Sequence, residues 1–231
     1  MTRDLPAIAP MLGQDTAILT LQNGWGNAER IGAIAGKSRV MVGLTYHSGT
    51  LVAPGRVKHS GIGMTHVGEI DGAQSARLET AVAAFRRAGL ETAPSQRILD
   101  EIWRKLALNV CTLPTSALLR FQAHELIQHE GTMALMEGLL DEVIAVAGAQ
   151  GIDLDRAERW RAITGLLEKA VGARASMLQD VEARRQTEID VVNGAIVEAG
   201  KRHSVPTPLN DAMVWMVKSL QGKYLAAANR Q

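Results

Sequence analysis

One cysteine in 231 residues is too few for an intramolecular disulfide or a cysteine metal cluster. Cys111 lies inside an apolar helical pattern, where a free thiol acts as a small core residue. Aromatics are also scarce: two Phe and two Tyr give no platform on which nucleic-acid bases would stack. A net charge of +1 gives no field to hold a phosphate backbone. No apolar run approaches the ~18 residues needed to span a bilayer, and no basic-then-apolar signal opens the chain. The expectation is a cytoplasmic protein with neither nucleic acid nor membrane as partner. What remains is the makeup of an ordinary globular protein, 46% hydrophobic and 21% charged, with chain enough for one large domain or two modest ones.

The first ninety or so residues alternate strand, turn and helix signals. Ala17–Gln22 and Val40–Tyr46 are short apolar runs with the form of buried strands. Residues 51–59 read as a hairpin folded at Pro54-Gly55, and residues 63–69 as a further strand closed by Asp71-Gly72. Asn27–Ala35, capped by Asn27, and Ser75–Ala88 read as helices, and Glu91–Pro94 as an extended link. After about residue 95 the chain is nearly all helix, over about 97–119, 124–149, 155–171, 176–201 and 208–225. An α/β piece followed by a helical piece predicts two domains joined near residue 95.

Several apparent motifs fail on geometry. Gly24-Trp-Gly-Asn-Ala-Glu29 starts like a dinucleotide fingerprint but has Glu29 where the third glycine belongs. Gly32-Ala-Ile-Ala-Gly-Lys-Ser38 is one residue short of a P-loop, and its glycines close a helix instead of opening one. His124 and His129 are five residues apart, so on a helix their rings diverge and do not share a metal.

Three places carry chemistry. Lys105, Asn109, Thr112 and Ser116 fall at i, i+4, i+7 and i+11 of an otherwise apolar helix, on one face. That stripe is either the solvent face or the lining of a cleft, in which burial would lower the lysine pKa into the range of a general acid. Pro114 in the same helix frees the carbonyl of Val110. Glu188 falls in line with Val181, Val192 and Ala195, where a carboxylate needs a partner. That partner is either Arg184 or Arg185, or a substrate and the lysine. Ser176, with Gln179 three residues on, has capping-box spacing, and a helix N-terminus with a free hydroxyl also suits a carboxylate ligand.

Ile102-Trp-Arg-Lys-Leu-Ala-Leu-Asn109, Ser176-Met-Leu-Gln-Asp-Val181 and Thr187-Glu-Ile-Asp-Val-Val-Asn-Gly194 occur in that order, after Gln22-Asn-Gly-Trp-Gly26. With these motifs the chain from Ala17 onward resembles the ketopantoate reductases (2-dehydropantoate 2-reductases). The resemblance implies reduction of ketopantoate to pantoate by NADPH, a step of pantothenate and coenzyme A biosynthesis. By the same resemblance Lys105 protonates the carbonyl oxygen, and Glu188 holds the substrate hydroxyl and positions the lysine. Asn109 and Ser176 bind substrate, and Asn23 lies near the nicotinamide-ribose of the cofactor. The implied fold is an α/β remnant, the C-terminal part of a Rossmann domain, over residues 1–95. An all-helical substrate-binding and catalytic domain of the 6-phosphogluconate dehydrogenase C-terminal type follows over 96–231. A homodimer is left open.

Departures from the family pattern add further expectations. Leu113, Ala123 and Ala173 stand where the family often has Asn. Each lost amide removes a hydrogen bond of about 0.5–1.5 kcal/mol, which points to a bulkier or less polar 2-oxo acid, or to a related hydroxyacid or opine-type dehydrogenase. The family's opening strand, glycine turn and helix are not in these residues. The expectation is therefore weak NADPH binding and an exposed parallel strand edge, with a non-catalytic helical interaction domain as the third reading.

Overall fold

The computed structural model describes residue 7 and residues 9–228. The chain divides into two compact units: Met1–Gln22 with Gly26–Ile102, and Asn23–Trp25 with Trp103–Gln231.

The first unit is built on a four-stranded sheet in the order β1-β2-β5-β6. Its strands are β1 (Ile18–Thr20), β2 (Val40–Thr45), β5 (Thr65–Glu69) and β6 (Thr92–Pro94), with β3 (Ser48–Ala53) and β4 (Arg56–Gly61) forming a separate hairpin. β1 runs parallel to β2, β2 antiparallel to β5, and β5 parallel to β6, so the sheet is mixed. β1 is an edge strand, as the exposed-edge expectation has it.

β2 reads as continuous apolar sequence because both of its faces are covered. Val40 and Val42 pack with Ile31 of helix α1 (Asn27–Ala35) and with Ile98. The intervening Met41 packs with Val67 and with Leu78 and Val82 of helix α2 (Ala76–Arg87). Ser75 caps α2 by accepting a hydrogen bond from Leu78 N, as serine at this position is expected to do.

Two local expectations are corrected here. The N-cap of α1 is Gly26 in the left-handed region (φ 85°), and Asn27, only 8% exposed, makes no cap. Residues 92–94, expected as a link, form sheet strand β6 on β5.

The second unit is helical. Its elements are α3 (Ile98–Leu119, whose first turn belongs with the sheet unit), α4 (Glu130–Gly148), α5 (Arg156–Lys169), α6 (Ser176–Glu182), α7 (Asn193–His203) and α8 (Pro208–Ala228). One core joins Trp103, Leu106 and Val110 of α3 to Leu139, Leu140 and Val143 of α4, Ile196 of α7 and Val217 of α8. Cys111 is fully buried there, with its Sγ donating to Met136 O at 3.4 Å. No helix of the described residues is long and apolar enough to cross a membrane.

The helix expected over 176–201 is broken. α6 stops at Glu182, Ile189–Val191 is a single 3-10 turn, and α7 begins at Asn193. Glu188 therefore stands in a connection, not on the apolar face of a helix. The break has two causes in this sequence. Arg184 takes the left-handed conformation (φ 52°), and Thr187 N and Oγ1 both donate to Gln221 Oε1 of α8, at 2.8 and 2.9 Å. The helix expected from residue 124 likewise begins at Glu130, after a 3-10 segment Ala123–Ile127 that holds His124.

The start of α8 is held from α4. Glu142 accepts from Leu209 N (2.8 Å), Asn210 N (2.9 Å) and Asn210 Nδ2 (2.7 Å), a carboxylate on a helix N-terminus. Asn210 Oδ1 accepts in turn from the fully buried Asn193. Glu142→Ala is expected to destabilise the protein by about 2–3 kcal/mol, since it strips charge-assisted bonds from donors that have no other partner there. Urea denaturation checks this, and an unchanged midpoint would show that water replaces the carboxylate.

Candidate active site

α3 presents Lys105 one turn before Asn109. The loop after β1 and the connection before α7 bring Asn23 and Glu188 to it, all within the helical unit. Lys105 Nζ donates to Asn23 Oδ1 at 2.8 Å, and Asn23 Nδ2 donates to Glu188 Oε2 at 3.3 Å. The orientation of the amide follows from its neighbours: an ammonium only donates and a carboxylate only accepts, so each end of Asn23 has one compatible partner. Asn23 thus links the lysine to the carboxyl group.

The loop is locked in place by its backbone. Trp25 N donates to Val191 O at 2.8 Å, and the Trp25 ring lies 5.2 Å from that of the buried Trp103. Gly24, at φ 89°, lies so close to Val191 that a Cβ would overlap its carbonyl. Position 24 therefore needs glycine for both conformation and space.

Burial sets the electrostatics. It lowers the Lys105 pKa from the usual 10.5 to about 8, against the opposing pull of the Glu188 charge. Glu188 is raised, chiefly by burial and secondarily by Asp180, against the Asn23 hydrogen bond and the Lys105 charge. Glu188 does not pair with either arginine proposed for it; Arg185 instead donates to Asp180 at 2.9 Å.

The Lys105 shift predicts a pH dependence of stability. The lysine releases its proton in the folded state from about 8 but holds it to 10.5 when unfolded. Folding therefore gains stability as pH rises through that window, and the gain is lost as pH falls through about 8. Denaturant midpoints of wild type and Lys105→Met, compared at both ends of the window, should diverge in that sense. A constant difference would mean the ammonium is fully hydrated in the fold.

The stripe on α3 is not the solvent face. Asn109, Thr112 and Ser116 are 7%, 6% and 0% exposed. Thr112 and Ser116 are engaged internally, with Leu108 O (2.8 Å) and Phe121 O (2.5 Å). The Asn109 side chain has no hydrogen-bond partner among the described residues, which leaves its amide available to a ligand. The Val110 carbonyl freed by Pro114 accepts from Asn193 Nδ2 at 3.2 Å, so the end of the Glu188 connection is tied directly to α3.

Residues 97–221 match the family described as ketopantoate reductase PanE/ApbA C terminal, and residues 1–72 match ketopantoate reductase PanE/ApbA. The chain belongs to the ketopantoate reductase family. It is 30% identical to the 2-dehydropantoate 2-reductase of Vibrio cholerae over 223 residues, 96% of this chain and 75% of the relative. Against the 2-dehydropantoate 2-reductase of Archaeoglobus fulgidus it is 30% identical over 220 residues, 94% of this chain and 73% of the relative. Among solved structures, a D-mandelate dehydrogenase with NADH and anilino(oxo)acetate superposes with a TM-score of 0.91 at 26% identity. That match covers 96% of this chain and 72% of the other. The ketopantoate reductase of Ralstonia eutropha superposes with a TM-score of 0.86 at 27% identity, over 96% of this chain and 74% of the other.

Within this ketopantoate reductase framework the remaining expected residues are more spread out. Ser176 is exposed at the first position of α6 and makes no cap; Ala175 is the N-cap, and Gln179 Nε2 donates to Arg174 O at 2.9 Å. The capping-box reading is therefore corrected. Leu113 is buried, and Ala123 N donates to Ala173 O at 2.9 Å, so two positions that lack the family's amide are neighbours in space. Sequence reasoning missed Val191 and Asn193, which position the loop and the connection. Both lie in the Thr187–Gly194 motif, which was the available signal.

Proposed function

We propose that this chain is a cytoplasmic, nicotinamide-dependent reductase of a 2-oxo acid, with ketopantoate as substrate and pantoate as product. The single observation that carries the reading is the Lys105–Asn23–Glu188 chain of hydrogen bonds around a half-buried lysine whose pKa is lowered to about 8. Membership of the family supports it, as do the names of its relatives.

In this reading the helical unit is of the 6-phosphogluconate dehydrogenase C-terminal type and holds the substrate, while the sheet unit is the Rossmann part. Lys105 gives its proton to the carbonyl oxygen as the keto carbon is reduced, and regains one from solvent afterwards. Glu188, its pKa raised by burial, holds the substrate hydroxyl and fixes Asn23, which orients the lysine. Asn109 and Ser176 take the substrate's carboxylate and hydroxyl. NADPH, when bound, supplies the hydride.

The residues present fit the acid–base side of that chemistry.

A second reading is a dehydrogenase of bulkier hydroxyacids. Leu113, Ala123 and Ala173 favour it, together with the likeness to D-mandelate dehydrogenase. A panel of ketopantoate, branched aliphatic and aryl 2-oxo acids, run with NADPH and with NADH, tests both. Turnover highest on ketopantoate supports the first reading, and turnover highest on an aryl 2-oxo acid supports the second. Failure to turn over or bind any 2-oxo or 2-hydroxy acid would overturn both in favour of a non-catalytic helical domain.

A further inference from the structure

The helical unit holds a concavity of about 680 Å³ whose lining includes none of the residues assigned to the reaction. It lies where the ends of α3 and α6 meet the last turns of α8. Its floor is apolar, made by Val181, Leu220 and Ala227, and its rim is basic: Arg120, Arg174, Arg184 and Lys223. The volume is that of a small-molecule site. Arg120 stands fifteen residues beyond Lys105, about 22 Å along the helix axis at 1.5 Å per residue, well away from that lysine.

The rim is one-sided. Its only carboxylate is Glu182, which pairs with Arg174. The side chains of Arg120, Arg184 and Lys223 make no hydrogen bond or ion pair with any described residue. The Tyr224 hydroxyl is turned away, donating to Arg185 O at 2.7 Å. Three exposed cations thus line one hollow whose single lining carboxylate is already paired with a fourth.

The backbone adds an independent observation. Arg120 (φ 59°) and Arg184 (φ 52°) are two of the three non-glycine residues with positive φ among the described residues. Each follows a helix whose last turn is closed by a reversed hydrogen bond, from Phe121 N to Ser116 O and from Arg185 N to Asp180 O. Glycine occupies that position at no steric cost, and arginine does so only under strain. Both strained arginines belong to this one hollow.

We propose that the hollow binds a small organic anion bearing at least two negative charges on an apolar body, a phosphate monoester or a polycarboxylate. The forked guanidinium groups suit either anion, and the Val181–Leu220 floor takes the carbon skeleton. This site is independent of the reading given above for the reaction.

The same geometry supplies the test. Arg120→Gly and Arg184→Gly remove charge while favouring the turn, so the double variant folds at least as well as wild type. Calorimetry at low salt with pyrophosphate and with citrate as probes should show binding to wild type that weakens about tenfold or more in the double variant. The preferred probe separates phosphate from carboxylate chemistry. Lys105→Ala should leave this binding unchanged, which distinguishes it from occupation of the reaction site. Three results would overturn the proposal: no binding to wild type, equal binding to the double variant, or a dimer that the double variant abolishes without any anion response.

Discussion

Lys105→Ala is expected to lower the rate of 2-oxo acid reduction by about 10²–10⁴-fold, the usual share of a positioned general acid. In the proposed reaction the amine must carry a proton at the moment the carbonyl oxygen becomes basic. Its pKa of about 8 means that this proton is present below that pH and is lost above it. In wild type kcat/KM should therefore be level on the acid side and fall as pH rises through about 8. The residual activity of Lys105→Ala should lack that limb. An alanine variant with unchanged turnover would remove Lys105 from the chemistry, whatever its pKa.

The second large effect is expected at a residue without a side chain. Gly24→Ala would drive a methyl group into the Val191 carbonyl and hold alanine at φ 89°. The left-handed backbone alone costs alanine about 1–2 kcal/mol, and the overlap adds more unless the loop withdraws. Withdrawal would separate Asn23 from Glu188 and break the Trp25–Val191 bond, so activity should fall to about the level of Asn23→Ala. Gly26→Ala is the control: its φ of 85° carries a similar strain, yet nothing lies within 4 Å of the added Cβ. It should lose stability by the backbone term only and keep its activity. Equal loss of activity in the two variants would show that the close approach at Val191 is not what places Asn23.

Lys105, Asn109 and Glu188 stood out in the sequence because each is polar in an apolar pattern. Their surroundings were not. A period of 3.6 tells which residues share a face of α3 but not whether water or protein covers it. The covering groups come from Asn23 and Glu188, which are distant in sequence. The break between α6 and α7 was hidden for a related reason. No glycine or proline marks it, and Arg184 adopts a conformation that arginine seldom takes. The partner that ends the helix, Gln221, lies thirty-four residues away. β6 escaped notice because three residues ending in Pro94 have no strand signal of their own, and only pairing with β5 makes them one. The hairpin at Pro54-Gly55 was the opposite case: Gly55 at φ 73° is a turn written in local sequence.

Asn23–Trp25 belong to a unit whose other residues begin at Trp103. During synthesis this tripeptide leaves the ribosome early, and its anchor at Val191 is translated roughly 10–30 s later at 5–20 residues per second. Until then Trp25 has no carbonyl to bind, and Trp103 waits beside an unclosed core. The helical half therefore closes on three residues made well before the rest of it. Expressed from Trp103 onward, it would lack both the indole that covers Trp103 and the amide that joins Lys105 to Glu188.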